Sequence, residues 1–142
     1  PLIFNWTRRI KGLPVPRIDD GALTANQPLD AARFNRWRSA NVTVAGKSDW
    51  VFVKLYCHGF FGHDQSVCMG DDAKRFFGGI VEESEKTGAF KVHFTSAREA
   101  FNIAVAAIDG KGGSPNDHRD YRLKPIMQIA QNNEKQSAAG VR

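Results

Sequence analysis

The chain has 142 residues, 42% hydrophobic and 25% charged, with 20 Lys and Arg against 15 Asp and Glu for a formal charge of +5. That length suits one domain able to bury a core, and the composition excludes collagen, coiled coil and wholesale disorder. No apolar run reaches the ~18 residues of a membrane span.

The sequence opens on Pro1-Leu2-Ile3-Phe4 without the basic stretch and long apolar run of a secretory signal. It is expected to start inside a longer protein, whose other residues would carry part of any chemistry. The basic residues are scattered, densest at Arg8, Arg9, Lys11 and Arg17, with Arg33, Arg36 and Arg38 on a later helix. No zinc-finger spacing, RNP-like motif or helix-turn-helix pattern accompanies them, so specific nucleic-acid binding is not expected.

In chain order, Leu2 to Trp6 reads as a short strand. Residues 8–28 read as a long connection punctuated by Pro14 and Pro16, with Asp19-Asp20-Gly21 as a turn. A helix is expected over 28–40, with Ala31, Phe34 and Trp37 or Arg38 at helical spacing. The strongest strand signal is Trp50 to Cys57, rich in β-branched and aromatic residues. Val51, Val53, Leu55 and Cys57 share one face, and Phe52, Lys54, Tyr56 and His58 the other. A Gly-rich loop from Gly59 to Gly70 follows, then a helix over 71–86 with Gly78 and Gly79 in it, placed for close packing on a neighbour.

Phe90 to Phe94 reads as a further strand. Ser96-Ala97-Arg98-Glu99 is a capping box, opening a helix to about Asp109 with Ala100, Phe101, Ala104, Val105 and Ile108 facing inward. Asn116 to Arg122 is a charge-dense run that either is solvated or clamps a sheet edge. The alternation of strand and helix predicts an α/β fold with a parallel sheet and right-handed crossovers.

In such folds, sites gather at the carboxyl ends of strands. The three ends offer Asn5, Trp6, Arg8 and Arg9; Tyr56, His58, His63 and Asp64; and His93, Thr95 and Ser96. His58 and His93 are the most specific pairing, since histidine's unperturbed pKa lies near neutrality. Three readings stay open for them: acid–base or substrate contact, metal ligation together with Cys57, His63 and Cys68, or plain structural hydrogen bonding. Ser96 is better explained as a cap than as a nucleophile, and Asp71-Asp72 as favourable charge at a helix start than as paired catalytic carboxylates. Cys57 and Cys68 either pair across a loop or remain one buried and one loop thiol.

The run Trp50-Val51-Phe52-Val53-Lys54-Leu55-Tyr56-Cys57-His58-Gly59 resembles the C-terminal portion of bacterial NodB-like polysaccharide deacetylases, carbohydrate esterase family 4. Phe94-Thr95-Ser96-Ala97-Arg98-Glu99 with His93, Arg119-Asp120-Tyr121-Arg122, and Asn5-Trp6-Thr7 with Arg9 extend that likeness over most of residues 1–123. The resemblance implies an irregular (β/α) barrel, a metal bound by an Asp and two His, and a late-strand Leu-x-His whose histidine is the general acid. No early Asp-Asp at a strand end and no His-x-x-x-His motif is read here, and Leu55-Tyr56-Cys57-His58 carries one residue too many between Leu and His.

Residues 1–123 are therefore expected to be the C-terminal part of a larger barrel, with 124–142 a tail. The implied function is that of a deacetylase-like hydrolase acting on carbohydrate, inactive as this piece alone. The expected catalytic residues are His58 and His93, and the expected substrate contacts are Asn5, Trp6, Arg9, Lys54, Tyr56 and Arg98. No metal ligand is assigned within the chain, and a divalent metal such as zinc would belong to the complete barrel. Expected partners are a carbohydrate substrate and either the rest of the barrel or a second copy of the chain. The alternative is a non-enzymatic module that binds an anionic glycan or phosphate through its basic strand-end mouth.

Overall fold

The computed structural model describes residues 3–27, 29–59 and 62–125, with the backbone alone for residues 3–9 and 17. In chain order the elements are β1 (Ile3–Ile10), β2 (Leu13–Asp19), α1 (Ala31–Ser39), α2 (Gly62–Met69), α3 (Asp71–Thr87) and α4 (Ala97–Ile108), followed by a 3-10 turn at Pro115–His118.

Among the described residues neither the expected parallel α/β sheet nor a part of a (β/α) barrel is formed. Among the described residues the one sheet is an antiparallel hairpin of β1 and β2, with Ile10 opposite Leu13 and Ile3 opposite Asp19. Its two-residue turn is Lys11-Gly12, both left-handed at φ 50 and 82, which matches the twist of a tight hairpin. Pro14 and Pro16 sit within β2, where a two-stranded sheet leaves an unpaired edge that needs no donor. The long connection expected over residues 8–28 is thus largely this hairpin.

Residues 51–57, the strongest strand signal, run as an extended segment without a ladder. Their backbone pairing among the described residues comes down to Phe52 N–H donating to Val42 (2.8 Å) and a parallel bridge between Tyr56 and Ala22. In that bridge Tyr56 N–H donates to Gly21 O (3.0 Å) and Leu23 N–H to Tyr56 O (2.8 Å). β propensity marks a residue that fits a pleated, half-buried surface, and it builds a sheet only where neighbouring strands supply partners. Phe90 to Phe94 likewise forms no strand; instead Ser84 Oγ donates to Phe90 O (2.7 Å).

The chain divides into two compact units, one of Pro1–Thr43 with Val51–Val92, the other of Val44–Trp50 with His93–Arg142. In the first, Asp30 caps α1 by accepting Arg33 N–H (2.7 Å). The buried residues of α1 are Arg33 and Trp37, so its inward face carries a cation as well as an indole. Trp37 meets Phe76 of α3 edge-on at 6.0 Å, and Phe34 packs on Phe90 at 5.6 Å. α2 occupies what the sequence suggests is loop, and Gly70 separates it from α3, which ends where Gly88 adopts φ 62. Gly78 and Gly79 do not mediate close packing: a Cβ at either meets nothing within 4 Å.

In the second unit the Ser96–Glu99 capping box forms as expected. α4 is rotated from its expected orientation. Phe101 is 50% and Ile108 68% exposed, and the buried residues are Asn102, Ile103, Ala106 and Ala107. Asn102 sets that face. Its amide nitrogen donates to Arg119 O (2.7 Å) and Leu123 O (2.8 Å), while its oxygen accepts from Arg122 N (3.1 Å) and Leu123 N (2.7 Å). A buried amide with all its bonds made outweighs an apolar stripe with nothing to cover it.

Candidate functional site

β2 ends at Asp19, and Asp20, Gly21 and Ala22 follow as an extended run beneath α1. Asp19 and Arg33 are each only 1% exposed. Arg33 Nε lies 3.2 Å from Asp19 Oδ1, and Arg36 Nε lies 2.7 Å from Oδ2. The second arm of the Arg33 guanidinium donates to the carbonyls of Asp20 and Ala22 and to Gln27 Oε1, while its plane lies over Trp37 at 4.9 Å. Arg33 Nη1 is buried and has no hydrogen-bond partner among the described residues. Trp37 Nε1 donates to the Asp20 carbonyl (2.9 Å). Arginine, not lysine, suits this position, because its flat fork serves several acceptors at once and stacks on indole.

Asp20 turns its side chain the other way. Its Oδ2 accepts the Tyr56 hydroxyl (2.7 Å), and its Oδ1 accepts Ala22 N–H (2.9 Å) with Arg33 Nη2 at 4.0 Å. Burial alone would push the Asp20 carboxyl up. The Ala22 amide, the Tyr56 hydroxyl and the Arg33 charge outweigh it and hold the group below its ordinary value. The same hydrogen bond raises the Tyr56 phenol, with burial and the Asp20 charge adding to it. Tyr56 is therefore a fixed, protonated phenol. Its ring meets His58 edge-on at 5.3 Å, and Lys54 Nζ lies 5.9 Å from its centroid. Lys54, Tyr56 and His58 thus form one side of an extended segment, as their spacing predicts, and His58 is exposed.

Gly21 makes this arrangement fit. A Cβ there would stand 2.0 Å from the Lys54 carbonyl oxygen, so no larger residue allows the two segments to approach and Tyr56 to reach Asp20.

The remaining candidate residues fall elsewhere. His93 and Arg98 belong to the second unit. Asn116 Oδ1 accepts from Arg119 Nε (3.0 Å) and Nη2 (2.8 Å), so it is an acceptor for His93 too, whose Nδ1 lies 3.0 Å away and donates. Arg98 holds residues 119–123 through Arg119 O (3.3 Å), Asp120 Oδ1 (2.6 Å) and Leu123 O. The charge-dense run thus clamps a helix, α4, and no sheet edge. The backbones of Asn5, Trp6 and Arg9 lie in β1; their side chains lie outside the described residues. His63 stands 3.8 Å from Asp64, which accepts Ala25 N–H (2.9 Å).

Among the described residues no three His, Cys, Asp or Glu side chains gather as metal ligands. The Asp-and-two-His set of the deacetylase group is not assembled by these residues, and no step through a metal is derived from them. No family model, curated protein or solved structure matches the chain. Among the described residues no helix is long and apolar enough to cross a membrane.

The sequence reading passes over Asp19, Asp20, Arg33 and Asn102. The first two read as a turn and Arg33 as a polar spacer. The usable signal was two acids before a helix that carries Arg33 and Arg36 one turn apart, a spacing that points both cations the same way.

Proposed function

We propose that this chain is the saccharide-contacting portion of a polysaccharide deacetylase-like hydrolase, with Tyr56 and His58 meeting the sugar and the other groups of the reaction supplied outside these 142 residues. The observation that carries this reading is the anchoring of Tyr56 by Asp20 beside the exposed imidazole of His58. Sugars present apolar C–H faces and hydroxyl rims, so they suit an aromatic ring whose polar end is already oriented. The ring supplies a face and Lys54 a donor above it. His58 can give or take a proton at a hydroxyl or acyl oxygen held against that ring. In sequence alone, since residues 51–57 form no strand here, the resemblance of residues 50–59 to the deacetylase group supports the same assignment of His58.

The test is calorimetric titration of the chain with an N-acetylglucosamine oligomer. Binding is expected, weakened about tenfold by His58→Ala, the ~1.4 kcal/mol of one hydrogen bond. It should persist at high salt, because it rests on stacking and neutral hydrogen bonds. Binding that His58→Ala and Tyr56→Ala both leave unchanged would overturn the assignment. Affinity confined to low salt and to anionic glycans or inorganic phosphate would favour the basic-mouth module instead.

A further inference from the structure

α2 docks on residues 23–25 through two side chains one turn apart. Asp64 Oδ1 accepts Ala25 N–H (2.9 Å), and Cys68 Sγ stands 3.6 Å from the Leu23 carbonyl oxygen. Leu23 is also the residue whose N–H donates to Tyr56 O (2.8 Å), which places Cys57 directly beside it. Two cysteines 11 apart in sequence therefore flank one backbone residue, Cys68 through its thiol and Cys57 through the chain beside Tyr56. Both are free and half-buried. Burial, then the neighbouring Cys57 and the Asp64 carboxylate, push the Cys68 thiol up.

We propose that Cys57 and Cys68 form a reversible dithiol–disulfide pair, exchanging with a low-molecular-weight disulfide of the glutathione type and tying α2 to the segment that carries Tyr56. The Cys57 thiolate attacks one sulfur of the glutathione disulfide, forming a mixed disulfide and expelling one glutathione thiolate, which takes up a proton. Cys68 then loses its proton to solvent and attacks the Cys57 sulfur. The mixed disulfide breaks and a second glutathione thiolate leaves. Two protein thiols are oxidised to one disulfide, and one glutathione disulfide is reduced to two thiols. This inference rests on the placement of the two cysteines about Leu23 and is independent of the saccharide reading.

The test equilibrates the whole chain with reduced and oxidised glutathione, then alkylates the remaining thiols and weighs the product. The expected product is a monomer lighter by two hydrogen atoms that takes up no alkylating agent, restored by dithiothreitol. Cys57→Ser should stop at a glutathione adduct on Cys68 or remain a free thiol. The fold should favour the bond at least about tenfold over the same chain in urea, a difference of ~30 mV. An equilibrium constant equal in folded and urea-unfolded chain would overturn the proposal. So would oxidation that yields only glutathione adducts or disulfides between chains.

Discussion

The Tyr56 hydroxyl donates to Asp20 Oδ2 at 2.7 Å, and Asp20 is followed directly by Gly21, whose carbonyl accepts Tyr56 N–H at 3.0 Å. The same tyrosine is therefore held at its backbone and at its tip by consecutive residues. That double hold makes the phenol a fixed feature beside His58, and it depends on what lies behind Asp20.

Behind it lies the Asp19–Arg33–Arg36 cluster. Asp19→Ala removes the carboxylate that balances two cations, one of them fully buried. Breaking a buried pair from one side costs about 3–5 kcal/mol, because the partner charge stays desolvated. Urea unfolding should show that loss in the midpoint. A loss under about 1 kcal/mol would mean that the pair behaves like an exposed one.

Glycine substitutions should split by position. Gly21→Ala drives a methyl into the Lys54 carbonyl, so it should cost several kcal/mol or separate the two segments. Gly79→Ala, in the middle of α3 with open space around it, should stabilise by about 0.5–1 kcal/mol through helix propensity. Thermal melting of the two variants measures both, and a destabilising Gly79→Ala would contradict the packing described for α3.

Asn102→Ala strips four hydrogen bonds from residues 119–123. With backbone groups left unpaired, a cost of about 2–4 kcal/mol is expected. Amide exchange at Arg122 and Leu123 should accelerate in the variant. Unchanged exchange there would mean that Arg98 holds the segment alone.

Stability should fall at both ends of the pH range. The Ser96 backbone N–H, then the Ser96 hydroxyl and Arg119, hold the Glu99 carboxyl below its ordinary 4.5, and Asp20 sits below its ordinary 3.8. A depressed carboxyl contributes above its unfolded value and loses that contribution as pH falls through the folded one. Tyr56, raised above 10.0, contributes below that pH and loses it as pH climbs past. Urea midpoints across the pH range should show Glu99→Gln flattening the acid limb and Tyr56→Phe the alkaline one. An acid limb unaltered by Glu99→Gln would remove the capping box from the acid response.

Local signals were legible in the sequence where they are self-contained. The Ser96–Glu99 box, the α3 helix, and the shared face of Lys54, Tyr56 and His58 need only nearby residues. The parallel sheet was not, because the strand-like run of 51–55 says nothing about which strands lie beside it. α4 turned away from its apolar stripe because Asn102 makes four hydrogen bonds to three residues some 20 positions away in sequence, which periodicity cannot weigh. Arg33 was missed for a related reason. A cation on a helix reads as solvent-facing until the acid that buries it is known.

The most direct test of the central claim is a backbone and side-chain NMR titration of the chain with an N-acetylglucosamine oligomer. The account predicts perturbations concentrated at Lys54, Tyr56 and His58, lost in Tyr56→Ala while the Asn102 amide stays unmoved. Perturbations confined to other residues, or none at millimolar oligomer, would contradict it.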